Sequence, residues 1–216
     1  MNNFSLTSWV IILLAYLIGS IPTAVWVGKW FYGIDVREHG SGNAGATNTI
    51  RILGPKAGIP VFIIDVMKGF AAVKMAYICR DSFGDHNEVF AMYRVILSFM
   101  VILGHVLPVF AGFSGGKGIA TSLGAVLAIF ALPAIVSLVV FLIILLSTNY
   151  VSLGSIVGAC IFPFVSIFIF GNNEYAYLIF AISVAVFVIT THRKNIKRLI
   201  NGEESKFYFK KKEYLK

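Results

Sequence analysis

The stretch GIATSLGAVLAIFALPAIVSLVVFLIILLST, residues 118–148, decides how the rest of the chain is read, and it holds no charged side chain. As one helix rising 1.5 Å per residue it would be about 46 Å long, too long for one upright pass through a hydrocarbon core of roughly 30 Å. It is short for two passes. Pro133, near its middle, removes a backbone donor and offers a turning point at Leu132–Ala134. Around it lie other apolar stretches with the length of a crossing: Trp9–Gly28, Ala57–Cys79, Val89–Ala111, Val151–Phe170 and Tyr175–Thr191. Whether the 118–148 segment crosses once or twice therefore decides the side on which the C-terminal end lies.

Composition makes lipid the solvent. The 216 residues are 58% hydrophobic and 13% charged, whereas soluble domains are about half apolar and about a quarter charged. A globular fold of this size has too little interior to hide so much apolar surface. The net charge of +8 is not a nucleic-acid signature, because half of the 18 Lys and Arg lie beyond Thr191. A basic tail behind an apolar body reads as an end facing anionic headgroups. Cys79 and Cys160 sit in apolar stretches without a CxxC or a nearby His, so both read as small buried hydrophobes rather than metal ligands or a disulfide. No Lys or Arg precedes the first apolar run, and no small-residue cleavage site is evident, so it is expected to be an uncleaved first span.

Charge sets the count. Lys29, Arg37, Arg51 and Lys56 flank the first loop, which is expected in the cytoplasm. The loop Arg80–Glu88 sets one Arg against Asp81, Asp85 and Glu88 and suits the outside. The loop around Lys117 is then inside. Only two passes by residues 118–148 return the basic tail to the same side. The expectation is an all-α membrane protein with seven transmembrane helices, its N-terminus outside and its C-terminus cytoplasmic. Residues 1–204 would form one polytopic domain, with 205–216 a basic, aromatic cytoplasmic tail. Within it, Asp65 and Lys68 are expected to form a structural ion pair facing the bundle interior. Arg94, near an outer helix end, is expected to snorkel.

By this parity the segments Gly33–Lys56, Gly104–Lys117, Ser147–Ser152 and the chain after Thr191 all open on one side, and they carry the chemistry. The first reads HGSGNAGATNTIRILG, residues 39–54. Its glycines match G-x-G-x-x-G, but that pattern means a dinucleotide only between a strand and a helix, and no βαβ unit is in sight. The underlying physics still holds: glycines let backbone N–H groups approach an anion, and a helix start adds a favourable dipole. Ser41, Asn43, Thr47 and Asn48 add donors, and Arg51 adds a planar fork suited to phosphate. The bland alternative is a turn that merely caps a helix; so many donors at membrane depth argue against it.

The second reads GHVLPVFAGFSGGKGIATSLG, residues 104–124. A Walker A motif needs Gly at 111 and Ser or Thr at 118, where the chain has Ala111 and Gly118, so a nucleotide hydrolase is not supported. Gly115, Gly116, Lys117 and Gly118 still suit a phosphate cradle. Lys117 as a mere positive-inside anchor is the competing view, and His105 reads as a structural histidine. The third, THRKNIKRLINGEE, residues 191–204, places His192 and Asn195 at i, i+3 on one helical face. A headgroup-binding segment explains its cations but not Asn195 or the Gly202-Glu203-Glu204 end.

GSGNAGATN with Arg51, then GHVLPVFAGFSGGKGIAT, then HRKNIKRLINGEE resemble the three signature motifs of the bacterial acyl-phosphate:glycerol-3-phosphate acyltransferases, the PlsY family. YVSLGSI, residues 150–156, and the DVMKG of the second span resemble family stretches too. The motifs fall in the family's order from residue 40 to residue 204. The resemblance implies transfer of a fatty acyl group from acyl phosphate to the 1-hydroxyl of sn-glycerol 3-phosphate, giving lysophosphatidic acid and phosphate in phospholipid synthesis. It implies no cofactor or metal, a site on the cytoplasmic face of the bacterial inner membrane, and contact with membrane lipids and with the enzyme that supplies acyl phosphate. By resemblance, Ser41, Arg51, Lys117, His192 and Asn195 would hold glycerol 3-phosphate. Asn43, Thr47, Asn48, Gly115, Gly116, Gly118 and Ser152 would complete the site around the acyl phosphate. Either His192 or a substrate phosphate would remove the hydroxyl proton. Two positions depart from the family pattern: Ala44 stands where many relatives carry Pro, and Ser114 where Lys is expected, which leaves the pocket one positive charge fewer.

The residues agree with that chemistry. No Asp follows any of the four His by five positions, so the H-x-x-x-x-D pair of other glycerolipid acyltransferases is absent, and so is a G-x-S-x-G elbow. A transporter would need a polar route through the bilayer, which nearly uncharged span centres do not offer. A purely structural subunit would leave Arg51, Lys117, His192 and Asn195 unexplained together.

Overall fold

The computed structural model describes residues 4–171 and 174–207. Among them the chain is helical and without strands: α1 (Leu6–Gly19), α2 (Thr23–Tyr32), α3 (Ala46–Leu53), α4 (Pro55–Lys74), α5 (Asn87–Val106), α6 (Ile119–Ile129), α7 (Ala131–Thr148), α8 (Val151–Phe164), α9 (Tyr175–Thr191) and α10 (Arg193–Ile200). Asn87–Ala111, Ala131–Thr148 and Val151–Ile169 are each long and apolar enough to cross a membrane, and the bent pairs α1–α2 and α9–α10 raise that number to five. The shorter α6 is apolar as well. α4 has the length but carries Asp65 and Lys68.

The 118–148 segment does break in two, but at Phe130 rather than at Leu132–Ala134. Pro133 lies in the first turn of α7, where its missing N–H has no intrahelical partner to lose. The first span is also interrupted: α1 and α2 meet at 43° across Ser20–Pro22. A broken helix in an apolar bundle leaves carbonyls without partners, and two cations supply them. Lys68 Nζ donates to the Ile21 carbonyl at 3.0 Å and pairs with Asp65 at 2.8 Å, while Asp65 also accepts from Thr23 Oγ1 at 3.0 Å. The expected structural ion pair is thus the clamp on the first break. Arg94 does not snorkel. It turns inward and donates to the Ala128 carbonyl at 2.8 Å and to Tyr177 Oη at 2.9 Å, which places its charge on the last turn of α6.

At the crossing of α4 and α6 both helices lack a Cβ at the contact. A methyl at Gly69 of α4 would run into the Thr121 carbonyl of α6, and one at Gly124 of α6 into the Val66 carbonyl of α4. Small residues let helices pack without hydrophobic drive in lipid. One core cluster runs through Ile11, Ala72, Tyr93, Leu97, Val101 and Ala125. A second joins Phe130, Phe162, Phe180 and Val184. Cys79 is buried as expected; Cys160 instead lies on the exposed face of α8. The tail expected at 205–216 begins folded: Phe207 N–H donates to the Asn149 carbonyl at 2.7 Å. Residues 208–216 lie outside the described part of the chain.

Candidate active site

The four polar segments meet at one end of the bundle. Arg37 staples the first to the second: its guanidinium donates to the Ala111 carbonyl at 2.9 Å and the Ser114 carbonyl at 3.2 Å, and Asp35 braces it at 2.7 Å. That hydrogen-bonded arginine, aided by Lys29, holds the Asp35 carboxyl far below the usual range against the opposing effect of burial. Lys117 joins the second segment to the last, donating from Nζ to Asn195 Oδ1 at 2.6 Å. Asn195 Nδ2 passes to Glu204 Oε1 at 2.7 Å. Ser152, in the first turn of α8, donates to the same oxygen at 2.8 Å, and Arg198 Nε to Glu204 Oε2 at 2.7 Å. Glu204 is therefore the hub that ties α8 to α10.

Electrostatics follow from that crowding. Burial pushes the Lys117 ammonium down to about 8; Glu204 opposes this, and the approaching charges of Arg198 and Arg51 reinforce it. Arg51 itself is exposed and makes no hydrogen bond or ion pair among the described residues. Burial and the neighbouring Lys117 charge hold His192 down to about 4, although the Val188 carbonyl and Glu204 pull the other way. Its Nδ1 lies 2.8 Å from the Val188 carbonyl. A carbonyl can only accept, so Nδ1 carries the proton and Nε2 keeps its lone pair. Burial alone would raise the Glu204 carboxyl, but bonds from Asn195, Arg198 and Ser152 hold it below its ordinary value.

Not every expected donor is free. Asn48 is buried, and its Nδ2 donates to the Val36 and His39 carbonyls at 2.9 and 3.1 Å while its Oδ1 accepts from the Ser41 N–H at 2.9 Å. Both amide hydrogens are engaged, so Asn48 acts on the site through the shape of the loop. The expected N–H cradle at Gly115 and Gly116 is likewise occupied: these groups donate to the Val106 and His105 carbonyls, each at 3.2 Å. Those carbonyls end α5 without helical partners, and the glycine loop caps them. Gly116 lies between His105 and the first segment, for a Cβ there would meet the His105 ring and sit 2.8 Å from the Ala44 carbonyl. Gly118 is the N-cap of α6 at φ 74°, a left-handed conformation that favours glycine. The side chains of Ser41, Asn43 and Thr47 make no hydrogen bond among the described residues; Ser41 is exposed, the other two half-buried. Among the described residues no side chain caps the starts of α3, α6 and α8, so their first backbone N–H groups are open there.

Arg37, Arg198 and Glu204 did not stand out as site residues in the sequence. The signal for Glu204 was present, since a basic headgroup-binding segment does not account for it. Among the described residues no group of three His, Cys, Asp or Glu is placed to hold a metal ion.

An apolar helical bundle whose polar segments are hydrogen-bonded together at one end defines the class: an integral membrane protein with a polar site at one end of its helices. Comparison narrows it. Residues 9–202 match the family model described as glycerol-3-phosphate acyltransferase. The chain is 46% identical over 200 residues to a glycerol-3-phosphate acyltransferase of Fusobacterium nucleatum, covering 92% of this chain and 97% of that one. It also resembles a crystal structure of PlsY (YgiH), an integral membrane glycerol 3-phosphate acyltransferase, in its glycerol 3-phosphate form: TM-score 0.81, 40% identity, 93% of this chain and 96% of that one. The lysophosphatidic acid form of PlsY matches with a TM-score of 0.78 at 39% identity, over 94% and 96% of the two chains. The chain belongs to the glycerol-3-phosphate acyltransferase family, of the PlsY type, and is a membrane acyltransferase.

Proposed function

We propose that the chain transfers a fatty acyl group from acyl phosphate to the 1-hydroxyl of sn-glycerol 3-phosphate at the cytoplasmic face of a bacterial plasma membrane, which it crosses seven times with its N-terminus outside. The observation that carries this reading is the Lys117–Asn195 bond beside Arg51, which makes no ion pair among the described residues; two cations and an amide thus come from three separate segments. Two phosphate-bearing substrates need such a place. Lys117 and Arg51 would bind the phosphate of glycerol 3-phosphate, with Ser41, Asn195 and His192 around its glycerol part. Asn43, Thr47 and the open helix starts at Gly118 and Val151 would receive the acyl phosphate, its chain lying along the apolar helices, while Ser152, whose hydroxyl is spent on Glu204, would hold α10 beside them.

The 1-hydroxyl oxygen attacks the acyl carbon, a C–O ester bond forms, and the bond from that carbon to the phosphate oxygen breaks. The departing phosphate leaves with the electron pair. Acyl phosphate is already activated, so alignment and charge stabilisation suffice and no covalent enzyme intermediate is needed. A His192 held near 4 is a weak base, whereas a phosphate with a second pKa of about 6 is a better one. The proton therefore passes to phosphate, and His192 Nε2 accepts a hydrogen bond that orients the hydroxyl.

Purified protein given acyl phosphate and glycerol 3-phosphate should release phosphate and lysophosphatidic acid. The same protein given acyl-CoA or acyl carrier protein in place of acyl phosphate should remain idle. Turnover with acyl-CoA alone would reverse the choice of donor.

A further inference from the structure

We infer that His105 is the positioning residue for Lys117, an inference that rests on the reading of Lys117 as a phosphate-binding lysine. Lys117 lies between two attachments to this one histidine. On its N-terminal side the Gly116 N–H donates to the His105 carbonyl at 3.2 Å. On its C-terminal side Thr121 Oγ1, in the first turn of α6, lies 3.0 Å from His105 Nδ1. The chain from Gly116 to Thr121 is thus a short arch sprung from His105, with the lysine on it.

The ring is fixed from the other directions as well. Its Nδ1 stands 3.7 Å from Asp65 Oδ1, which Thr23 and Lys68 hold in place. Its Nε2 edge occupies the space that a side chain at Gly116 would need, and beyond Gly116 stands the Ala44 carbonyl. His105 is 7% exposed, and a polar ring in this apolar bundle is costly unless its bonds are used. A Phe of similar breadth would be the cheaper filling if shape alone mattered. Lys117 has a flexible four-carbon stem and among the described residues a single hydrogen-bond partner, Asn195. The placement of its backbone therefore decides where its charge falls.

The test compares His105→Phe, His105→Asn and Thr121→Val with Lys117→Ala, in full-length protein purified in detergent. His105→Phe and Thr121→Val should each lower kcat/KM for glycerol 3-phosphate about 100-fold, the cost of a displacement near 1 Å. The loss should fall on KM for glycerol 3-phosphate and leave KM for acyl phosphate unchanged. His105→Asn, whose amide can still reach Thr121, should recover most of it. The inference is overturned if either defective variant stays within threefold of the parent, or if His105→Asn is as impaired as His105→Phe. It is equally overturned if both Michaelis constants rise together with a fall in melting temperature, as a merely structural histidine would give. Near-normal turnover by Lys117→Ala would sink the underlying reading instead, so the two failures are distinguishable.

Discussion

Lys117 and Asn195, 78 positions apart, are joined by a 2.6 Å hydrogen bond from Nζ to Oδ1. The bond leaves Asn195 Nδ2 to reach Glu204, so one amide passes order from the glycine loop to the end of the described chain. Among the described residues Lys117 has no carboxylate partner of its own. On the proposed reading, an incoming phosphate would meet an ammonium with no ion-pair partner among the described residues.

Truncating Lys117 or Arg51 to Ala should lower turnover by about 100- to 1000-fold, the usual cost of losing one electrostatic donor at a reacting centre. Both proteins should still insert; Arg51→Ala should melt like the parent, since Arg51 makes no hydrogen bond or ion pair among the described residues, while Lys117→Ala should lose only its bond to Asn195. Turnover by initial rate and melting by fluorescence check this, and full activity in both variants would reject the assignment.

The Lys117 ammonium sits near 8, so it loses its proton as pH rises through that value. KM for glycerol 3-phosphate should therefore climb above pH 8. Lys117→Arg keeps its charge to far higher pH and should lose that limb, whatever its absolute rate. A rise in KM that persists in the arginine variant would assign it to another group.

His192 behaves differently. Its folded value near 4 lies below the ordinary 6.5, so the unfolded chain binds the extra proton between the two and stability falls as pH drops through that window. Glu204, whose carboxyl is held below its ordinary 4.5, adds a loss only at lower pH. Melting temperature should thus fall from pH 6.5 toward pH 5, and His192→Gln should flatten that slope. An unchanged slope would place the titrating group elsewhere.

Glu204→Ala strands the donors of Ser152, Asn195 and Arg198 together. It should destabilise the protein by about 2 kcal/mol or more, the scale of one lost bond to a charged group. Glu204→Gln keeps the shape and should lose less. Equal melting of the two variants would mean that the retained shape contributes nothing and that the carboxylate charge accounts for the whole loss.

At the α4–α6 crossing, Gly69→Ala and Gly124→Ala each drive a methyl into a backbone carbonyl, which cannot rotate away. Either should cost about 3 kcal/mol. Folded yield and melting temperature measure it, with Gly171→Ala, where nothing lies within 4 Å but φ is 64°, as an open-space comparison.

Much of this was legible beforehand because composition and spacing are local properties. The uncharged 118–148 run showed a break, and Asp65 with Lys68 at i, i+3 showed an inward pair. The place of the break was not legible: proline tolerates the first turn of a helix, so Pro133 marks the start of α7 rather than the turn itself. Arg94 misled because an arginine near a helix end has two outlets, water or an orphan carbonyl. Only the end of α6 shows which lies nearer.

By itself the sequence determined that lipid is the solvent, that the chain is helical, and that three motifs of phosphate-binding type must be explained together. Hydropathy and side-chain chemistry are carried by the residues themselves, whatever their neighbours in space. Tertiary structure alone decided which donors remain free among the described residues: Gly115, Gly116 and Asn48 turn theirs inward, while there Arg51 keeps its own and Lys117 shares with Asn195. A hydrogen bond is a relation between two groups, and its second partner here lies up to 78 residues away.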